Sequence, residues 1–565
     1  MSIHFSNKNR ATIMEDMGEG ELDLLIIGGG ITGAGIALDA QLRGLKTGLI
    51  EMQDFAAGTS SRSTKLVHGG LRYLKQLEIK LVAEVGRERA IVYENAPHVT
   101  TPVWMMLPIY KNGTFGKLST SIGLGMYDFL ARVKKSERRK MLSVANTMLR
   151  EPLLKKEDLK GSGVYVEYRT DDARLTLEII KKAFEKGVLA ANYVKAVNFL
   201  YKNGKAVGVE ILDMKTGQTR DIYAKKIVNA TGPWVDGLRD LDKSKKGKYL
   251  HLTKGVHLVI DKKRFPLSEA VYFDTPYADG RMLFAIPRGE KTYVGTTDTT
   301  YMENPVHPRM TKEDLHYILK ATNHLFPNLH LTEQDVESSW AGLRPLIHEE
   351  GKDPSDISRK DEIFHSPTGL ITIAGGKLTG YRKMAEKVVN LVTKELEAET
   401  GVRYPGCTTD KMKLSGGSVG GSDNFKLYLK EQVQAGMKLG LAEADARKLI
   451  ECYGSNISFI YDIMRKNEKN EASNLPKDLL AALIYGIEHE MVTSPTDFFL
   501  RRTSYLLFDI DRVYQWKGKV ISFMADYLQW SKEQKYHYSE ELEKRIIDAT
   551  GIVMEEEEEN LIFSS

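Results

Sequence analysis

The sequence predicts an α/β protein with α+β elements: a parallel-sheet unit assembled from separated segments, a β-rich unit interleaved with it, and a helical C-terminal region. Three observations predict this. A strand, glycine turn, helix and second strand follow one another from Leu22 to Glu51. Strand-into-glycine patterns return at Ile227 to Gly232 and again at Ile371 to Gly376, with alternating β patterns between them. From about residue 424 the pattern is helical almost throughout.

The first unit starts with the apolar run Leu22, Leu24, Leu25, Ile26 and Ile27, a buried parallel strand. Gly28, Gly30 and Gly33 fit G-x-G-x-x-G. Gly28 permits the tight turn, Gly30 lets backbone approach a pyrophosphate, and Gly33 lets the helix pack close on the strand. The helix N-terminus offers unpaired N–H groups and partial positive charge to phosphates. The helical pattern stops at Gly44, and the strand from Thr47 to Ile50 leads into Glu51, 23 positions after Gly28. A carboxylate there accepts from ribose hydroxyls and repels a 2′-phosphate, so a dinucleotide without that phosphate is expected.

Further on, Lys202-Asn203-Gly204-Lys205 is a hairpin signal between two apolar stretches. Residues 250–300 alternate in β fashion through GVHLVI, MLFAIP and KTYVGTTD. Residues 370–392 read as a strand, a Gly-Gly turn and a helix. The glycine-rich stretch 401–423 reads as a linker, and Glu555 to Glu559 as a solvated tail.

Composition narrows the function classes. At 565 residues, 42% apolar and 28% charged, the chain is expected to form two or three soluble domains with a sizeable core. A net charge of +4 does not demand nucleic acid, and no nucleic-acid-binding motif is present. Cys407 and Cys452 are the two cysteines and form no CxxC, which excludes a disulfide scaffold, a cysteine zinc site and an iron–sulfur cluster. The polar N-terminus does not read as a signal peptide, and no run of 18 apolar residues predicts a membrane span. No Ser-His-Asp spacing or H-E-x-x-H motif suggests hydrolysis, and no metal is expected.

Several motifs then occur in a fixed order. Gly58-Thr59-Ser60-Ser61-Arg62-Ser63-Thr64-Lys65 leads into His68-Gly69-Gly70-Leu71-Arg72-Tyr73-Leu74. Asn229-Ala230-Thr231-Gly232-Pro233-Trp234, Gly295-Thr296-Thr297-Asp298, Gly342-Leu343-Arg344-Pro345 and Gly375-Gly376-Lys377-Leu378-Thr379 follow, with Phe498-Phe499-Leu500-Arg501-Arg502-Thr503 in the helical tail. From about residue 20 to 550 the chain resembles the FAD-dependent, respiratory glycerol-3-phosphate dehydrogenase family. The resemblance implies a Rossmann-like FAD domain of the glycine-oxidase type from segments near 20–75, 170–235 and 345–400. A β-rich substrate domain would come from 76–169 and 236–344, and a helical C-terminal domain from 424–550, after the 401–423 linker.

The resemblance also implies the chemistry: oxidation of sn-glycerol 3-phosphate by hydride transfer to non-covalent FAD, with electrons passed to a membrane quinone. The protein is then expected to be cytoplasmic and peripheral to the membrane, with a homodimer allowed. Residues 375–379 open a helix whose N–H groups face the reduced flavin or simply cap a core helix. Arginine suits a phosphate because its planar fork donates bidentately. Arg344, placed in a turn before Pro345, is expected at the substrate phosphate with Arg72, Tyr73 and Lys377. His257, in the strand GVHLVI, is nominated as proton acceptor against the alternative of a satisfied core histidine. His68 and Gly69 are expected near the flavin ring. Ser60, Ser61 and Ser63 are expected on the pyrophosphate or ribityl chain, or else as turn caps. Ala230, Thr231, Gly232, Gly376, Leu378 and Thr379 complete the cofactor set. Rival readings are an oxygen-using oxidase, an amino-acid oxidase of the same fold and a non-catalytic FAD-bound protein. The segment Ile122 to Lys140, apolar and then basic through Arg132, Lys134, Lys135, Arg138, Arg139 and Lys140, is a candidate membrane contact or an ordinary helix with a solvated end.

Overall fold

The computed structural model describes residues 4–68, 79–111, 113–114, 116–130, 137–277, 279–351, 360–467 and 474–551. Two sheets organise everything N-terminal to residue 400. In the first, Leu22–Ile27 is central. It pairs in parallel with Thr47–Ile50 on one side and Thr219–Asn229 on the other. Leu189–Ala191 and Ile371–Ala374 extend the parallel set outward. Five strands from distant parts of the chain thus meet, because where they pair in parallel they are buried on both faces and need helices above and below them. Helices Ile31–Leu42, Asp172–Glu185 and Tyr381–Thr400 supply that cover. The hairpin Val194–Lys202 and Lys205–Asp213 turns at Asn203 and Gly204, both with positive φ, as the Asn-Gly signal requires.

The second sheet has ten strands. It reaches back to Leu66–Val67 and includes Thr100–Tyr110, Leu159–Thr170, Lys248–Asp261 and Val336–Glu349. The last two run antiparallel, with Thr253 opposite Arg344, Gly255 opposite Gly342 and His257 opposite Trp340. Side chains alternate along a strand, so these six positions share one face. Arg344 therefore lies within a strand, not in the turn expected from Pro345. Among the described residues Val336–Glu349 pairs only with Lys248–Asp261, and an edge strand tolerates a proline that cannot donate.

The C-terminal region is helical, with Phe425–Lys438, Glu443–Tyr453, Ile457–Lys466, Lys477–His489, Ile510–Tyr527 and Lys532–Thr550 around a common core. The stretch 401–423 carries only a short 3-10 turn at Thr409–Lys411, yet it is packed down: the Leu414 amide donates to the Asn95 carbonyl and the Ser455 amide to that of Gly416. No described helix is long and apolar enough to cross a membrane. Neither cysteine forms a disulfide, and no metal-ligand cluster occurs among the described residues.

Candidate active site and dinucleotide cleft

The ends of the first sheet open into a cleft of about 490 Å³. Gly28, Gly30, Glu51, Ser60, Ser63, Ala230, Thr231, Gly232, Gly376, Lys377 and Leu378 all line it. The glycine roles are visible as space. At Gly28, with φ of 116°, a side chain would meet the Ala230 carbonyl at 2.6 Å. At Gly33 it would overlap the Gly28 carbonyl, so Gly33 serves packing and does not line the cleft. Ser60 Oγ accepts from the Ile31 amide at 2.9 Å and so caps the helix whose N-terminus faces the cleft. This cradle fits a dinucleotide: backbone donors and positive dipole stand where a pyrophosphate needs them, and a cleft wall bears a carboxylate.

That carboxylate, Glu51, is already engaged by backbone. Its Oε2 accepts from Gly29 N at 2.8 Å and its Oε1 from Gln53 N at 2.9 Å. Burial raises its pKa against the pull of these two N–H groups. Lone pairs remain for ribose hydroxyls, since a carboxylate has about four acceptor positions. The serines diverge. Ser63 lines the cleft, but its hydroxyl donates to Asp172 at 2.7 Å, within a buried Lys65–Asp172 ion pair. Ser61 is buried, turned toward the Gly58 carbonyl, and lines neither cavity.

A second cavity of about 320 Å³ adjoins the cleft and shares Thr59, Ser63, Pro345 and the turn Gly375–Leu378 with it. Lys377 sits at this junction, at the start of the 3-10 turn that leads into helix Tyr381–Thr400. Gly375 and Gly376 both have positive φ, which lets the chain turn sharply out of its strand there. Thr379 completes the corner: its hydroxyl accepts from the His68 amide at 3.1 Å.

The second sheet supplies the floor of this cavity. The Arg344 guanidinium donates to Asp298 Oδ1 at 3.1 Å, to Thr296 Oγ1 at 3.1 Å and to the Thr297 carbonyl at 3.2 Å. Gly255 makes room for it: a Cβ there would lie 2.5 Å from Arg344 Nη2 and 2.8 Å from Nη1. Arg281 also lines the cavity and donates to the Asp298 carbonyl at 2.7 Å. Of the two carboxylates on the wall, Asp298 pairs with Arg344 and Glu167 with Arg89. Arg62, Arg281, Arg344 and Lys377 therefore give the cavity a positive balance suited to an anionic ligand.

The two histidines differ. His257 is 2% exposed, stacks on Trp340 with ring centroids 4.5 Å apart, and holds its Nε2 3.0 Å from Thr64 Oγ1. Its Nδ1 is buried without a partner among the described residues. Burial, reinforced by Arg344 and Lys65, keeps its pKa well below the usual histidine value. His68 lines the same cavity, and neither ring nitrogen is taken by a hydrogen bond among the described residues. Burial, with Lys377 and Arg89 nearby, brings its pKa down to about 3, so the ring is neutral with a lone pair available. Gly69, Arg72 and Tyr73 lie outside the described residues, as do Arg132, Lys134, Lys135 and Glu555 to Glu559.

Sequence reasoning missed Thr64, Gly255, Arg281, Thr296, Asp298 and Trp340 as parts of this site. The motif GTTD and the alternation of GVHLVI were visible, but the pairing of strand 248–261 with strand 336–349 was not.

Residues 23–382 match the model of the FAD dependent oxidoreductase family, and residues 407–535 match that of the C-terminal domain of alpha-glycerophosphate oxidase. The aerobic glycerol-3-phosphate dehydrogenase of Bacillus subtilis is 59% identical over 97% of this chain and 99% of its own. That of Staphylococcus epidermidis is 55% identical over 97% and 98%. The crystal structure of the glycerol-3-phosphate dehydrogenase from Bacillus halodurans complexed with FAD superposes with a TM-score of 0.85 at 52% identity, covering 98% of this chain and 99% of that one. The chain belongs to the aerobic glycerol-3-phosphate dehydrogenase family of FAD-dependent oxidoreductases.

Proposed function

We propose that the protein oxidises sn-glycerol 3-phosphate to dihydroxyacetone phosphate and passes the electrons to a membrane quinone. The observation that carries the reading is the junction at Lys377, where a positively balanced cavity opens directly onto a dinucleotide cleft. FAD, when bound, accepts the hydride. The protein's part is to place the substrate and move one proton. Arg344, fixed by Asp298, Thr296 and Thr297, holds the phosphate in one orientation, with Lys377 as a second cation. Arg72 and Tyr73 join them on the strength of the family motif alone.

Of the two histidines, His68 is the better proton acceptor for the substrate hydroxyl. Its ring lines the cavity with neither nitrogen hydrogen-bonded among the described residues, whereas His257, which lines it too, has Nε2 committed to Thr64 and Nδ1 buried. An arriving phosphate dianion offsets Lys377 and Arg89 and raises the basicity of His68 when it is needed. His257, stacked on Trp340, then acts as a wall that fixes Thr64.

A quinone acceptor requires contact with lipid without a spanning helix. Helix Lys117–Leu130 exposes Ile122 and Met126 four residues apart, while Leu124 and Tyr127 are buried on its other side. Beyond it, the exposed Arg138 and Lys140 suit an anionic surface. The deciding experiment is steady-state turnover of glycerol 3-phosphate and a panel of amino acids with a soluble quinone, a dye or oxygen as acceptor. Flotation with anionic vesicles at low and high salt accompanies it. Fast turnover with oxygen and peroxide release would replace the dehydrogenase reading by an oxidase. Absence of flotation would remove the membrane contact.

A further inference from the structure

The dinucleotide turn is gripped from behind by a short loop. Glu51 accepts from the Gly29 amide at 2.8 Å, and the Ala56 amide donates to the Gly29 carbonyl at 3.0 Å. Both backbone groups of Gly29 are thus bound by residues 51–56. The loop is pressed against the turn so closely that a Cβ on Gly29 would stand 2.7 Å from Phe55 and 2.9 Å from Glu51.

The middle of that loop is held by the C-terminal region. Asp54, 1% exposed, accepts from Arg501 Nε at 2.5 Å and from Arg502 Nη1 and Nη2 at 2.7 and 2.8 Å. A fourth bond comes from Asn192 at 3.0 Å. Arg501 and Arg502 end the π-helical turn Asp497–Arg502, more than 440 residues away in sequence. Arg501 is steadied by Asp497, and Arg502 by the Glu490 carbonyl. Glu490 in turn pairs with Arg174 and Lys181, and both of these with Glu178. Four acids and four bases are buried together here: Asp54, Glu178, Glu490 and Asp497 against Arg174, Lys181, Arg501 and Arg502. Such a set is costly to assemble and costlier to break, because each partner removed leaves a buried charge uncompensated.

We propose that Asp54 couples the C-terminal region to FAD binding: Arg501 and Arg502 set the loop 51–56, the loop sets Gly29, and cofactor binding and C-terminal docking stabilise one another. Among the described residues, no hydrogen bond joins the side chain of either arginine to a cleft-lining residue. Asp54 is a positioning residue for the cofactor, and linkage makes the effect reciprocal.

The test uses the full chain, stripped of flavin and reloaded. In the wild type, FAD is expected to slow hydrogen exchange across residues 490–505, which do not line the cleft. Asp54→Asn keeps the shape and removes the charge. It is expected to raise the FAD Kd 10- to 100-fold and to abolish that remote protection. Arg501→Lys, a gentler change, is expected to shift both in the same direction by a smaller factor. Glu178→Gln is the structural control: it disturbs the same buried cluster without touching Asp54, so it is expected to lower Tm with FAD affinity kept within threefold. The proposal is overturned if FAD leaves exchange at 490–505 unchanged in the wild type, or if Glu178→Gln weakens FAD as much as Asp54→Asn does.

Discussion

Gly255→Ala tests whether the seat of Arg344 matters. The new methyl group would stand 2.5 Å from Nη2 and 2.8 Å from Nη1 of Arg344, and closer still to Thr296 Oγ1. Cβ atoms essentially never come within 3.0 Å of another heavy atom, so the guanidinium must move, by roughly 0.5–1 Å. It cannot do so and keep its bonds to Asp298, Thr296 and Thr297, all of which are 3.1–3.2 Å long. A lost charge-assisted hydrogen bond costs about 1.5–3 kcal/mol, and a misplaced binding group about 100-fold in rate. The expected result is a fall in kcat/KM for glycerol 3-phosphate of roughly 30- to 300-fold, with FAD content unchanged because Gly255 does not line the dinucleotide cleft. Dye-linked kinetics and flavin absorbance on the same preparation give both numbers. A kcat/KM within threefold of wild type, at full flavin occupancy, refutes the reasoning.

Arg344→Ala is expected to weaken use of glycerol 3-phosphate by about 2–4 kcal/mol in kcat/KM and to affect unphosphorylated glycerol far less. An equal loss for both substrates would move Arg344 away from the phosphate. His68→Gln is expected to slow flavin reduction by roughly 100- to 10,000-fold, and His257→Gln by much less, in anaerobic stopped-flow mixing. The reverse order would restore His257 as proton acceptor. Stability should fall with acid. His98 and His257 are each 2% exposed, and burial and nearby cations lower both pKa values, that of His98 to about 3. Their unfolded forms titrate near 6.5, so between pH 7 and 5 the unfolded chain takes up protons that the folded chain refuses. This costs about 2 kcal/mol for each histidine. Glu490, held down to about 2 against the opposing effect of burial by Arg174 and Lys181, keeps its contribution in this window and loses it only at lower pH. Tm measured in steps from pH 7 to 5 should drop throughout, and a flat profile would contradict the assignment.

The dinucleotide cleft was legible in the sequence because its signals are local. Three glycines, a strand before them and Glu51 after them lie within 30 residues, and backbone sterics alone assign each a role. The hairpin at Asn203-Gly204 was legible for the same reason. The adjoining cavity was less so, because its floor depends on register. Arg344 faces it only because Thr253 pairs with Arg344 and His257 with Trp340 across an antiparallel ladder, and no local pattern encodes that pairing. Pro345 suggested a turn because proline usually ends a central strand, and the edge position that tolerates it is a tertiary fact. Ser63 lines the cleft as expected, but the partner of its hydroxyl was not legible for the same reason. A hydroxyl beside a glycine turn resembles a phosphate ligand, but Asp172 arrives from over a hundred residues away and takes it. His257 and His68 cannot be ranked from sequence, since the burial of His257 and the contact of its Nε2 with Thr64 are tertiary facts.

Anaerobic addition of sn-glycerol 3-phosphate to the FAD-loaded protein tests the central claim most directly. The flavin should bleach to the reduced form, with one dihydroxyacetone phosphate formed per flavin, and a soluble quinone should then restore the oxidised spectrum. A flavin that stays oxidised at saturating glycerol 3-phosphate, yet is bleached by dithionite, would contradict it.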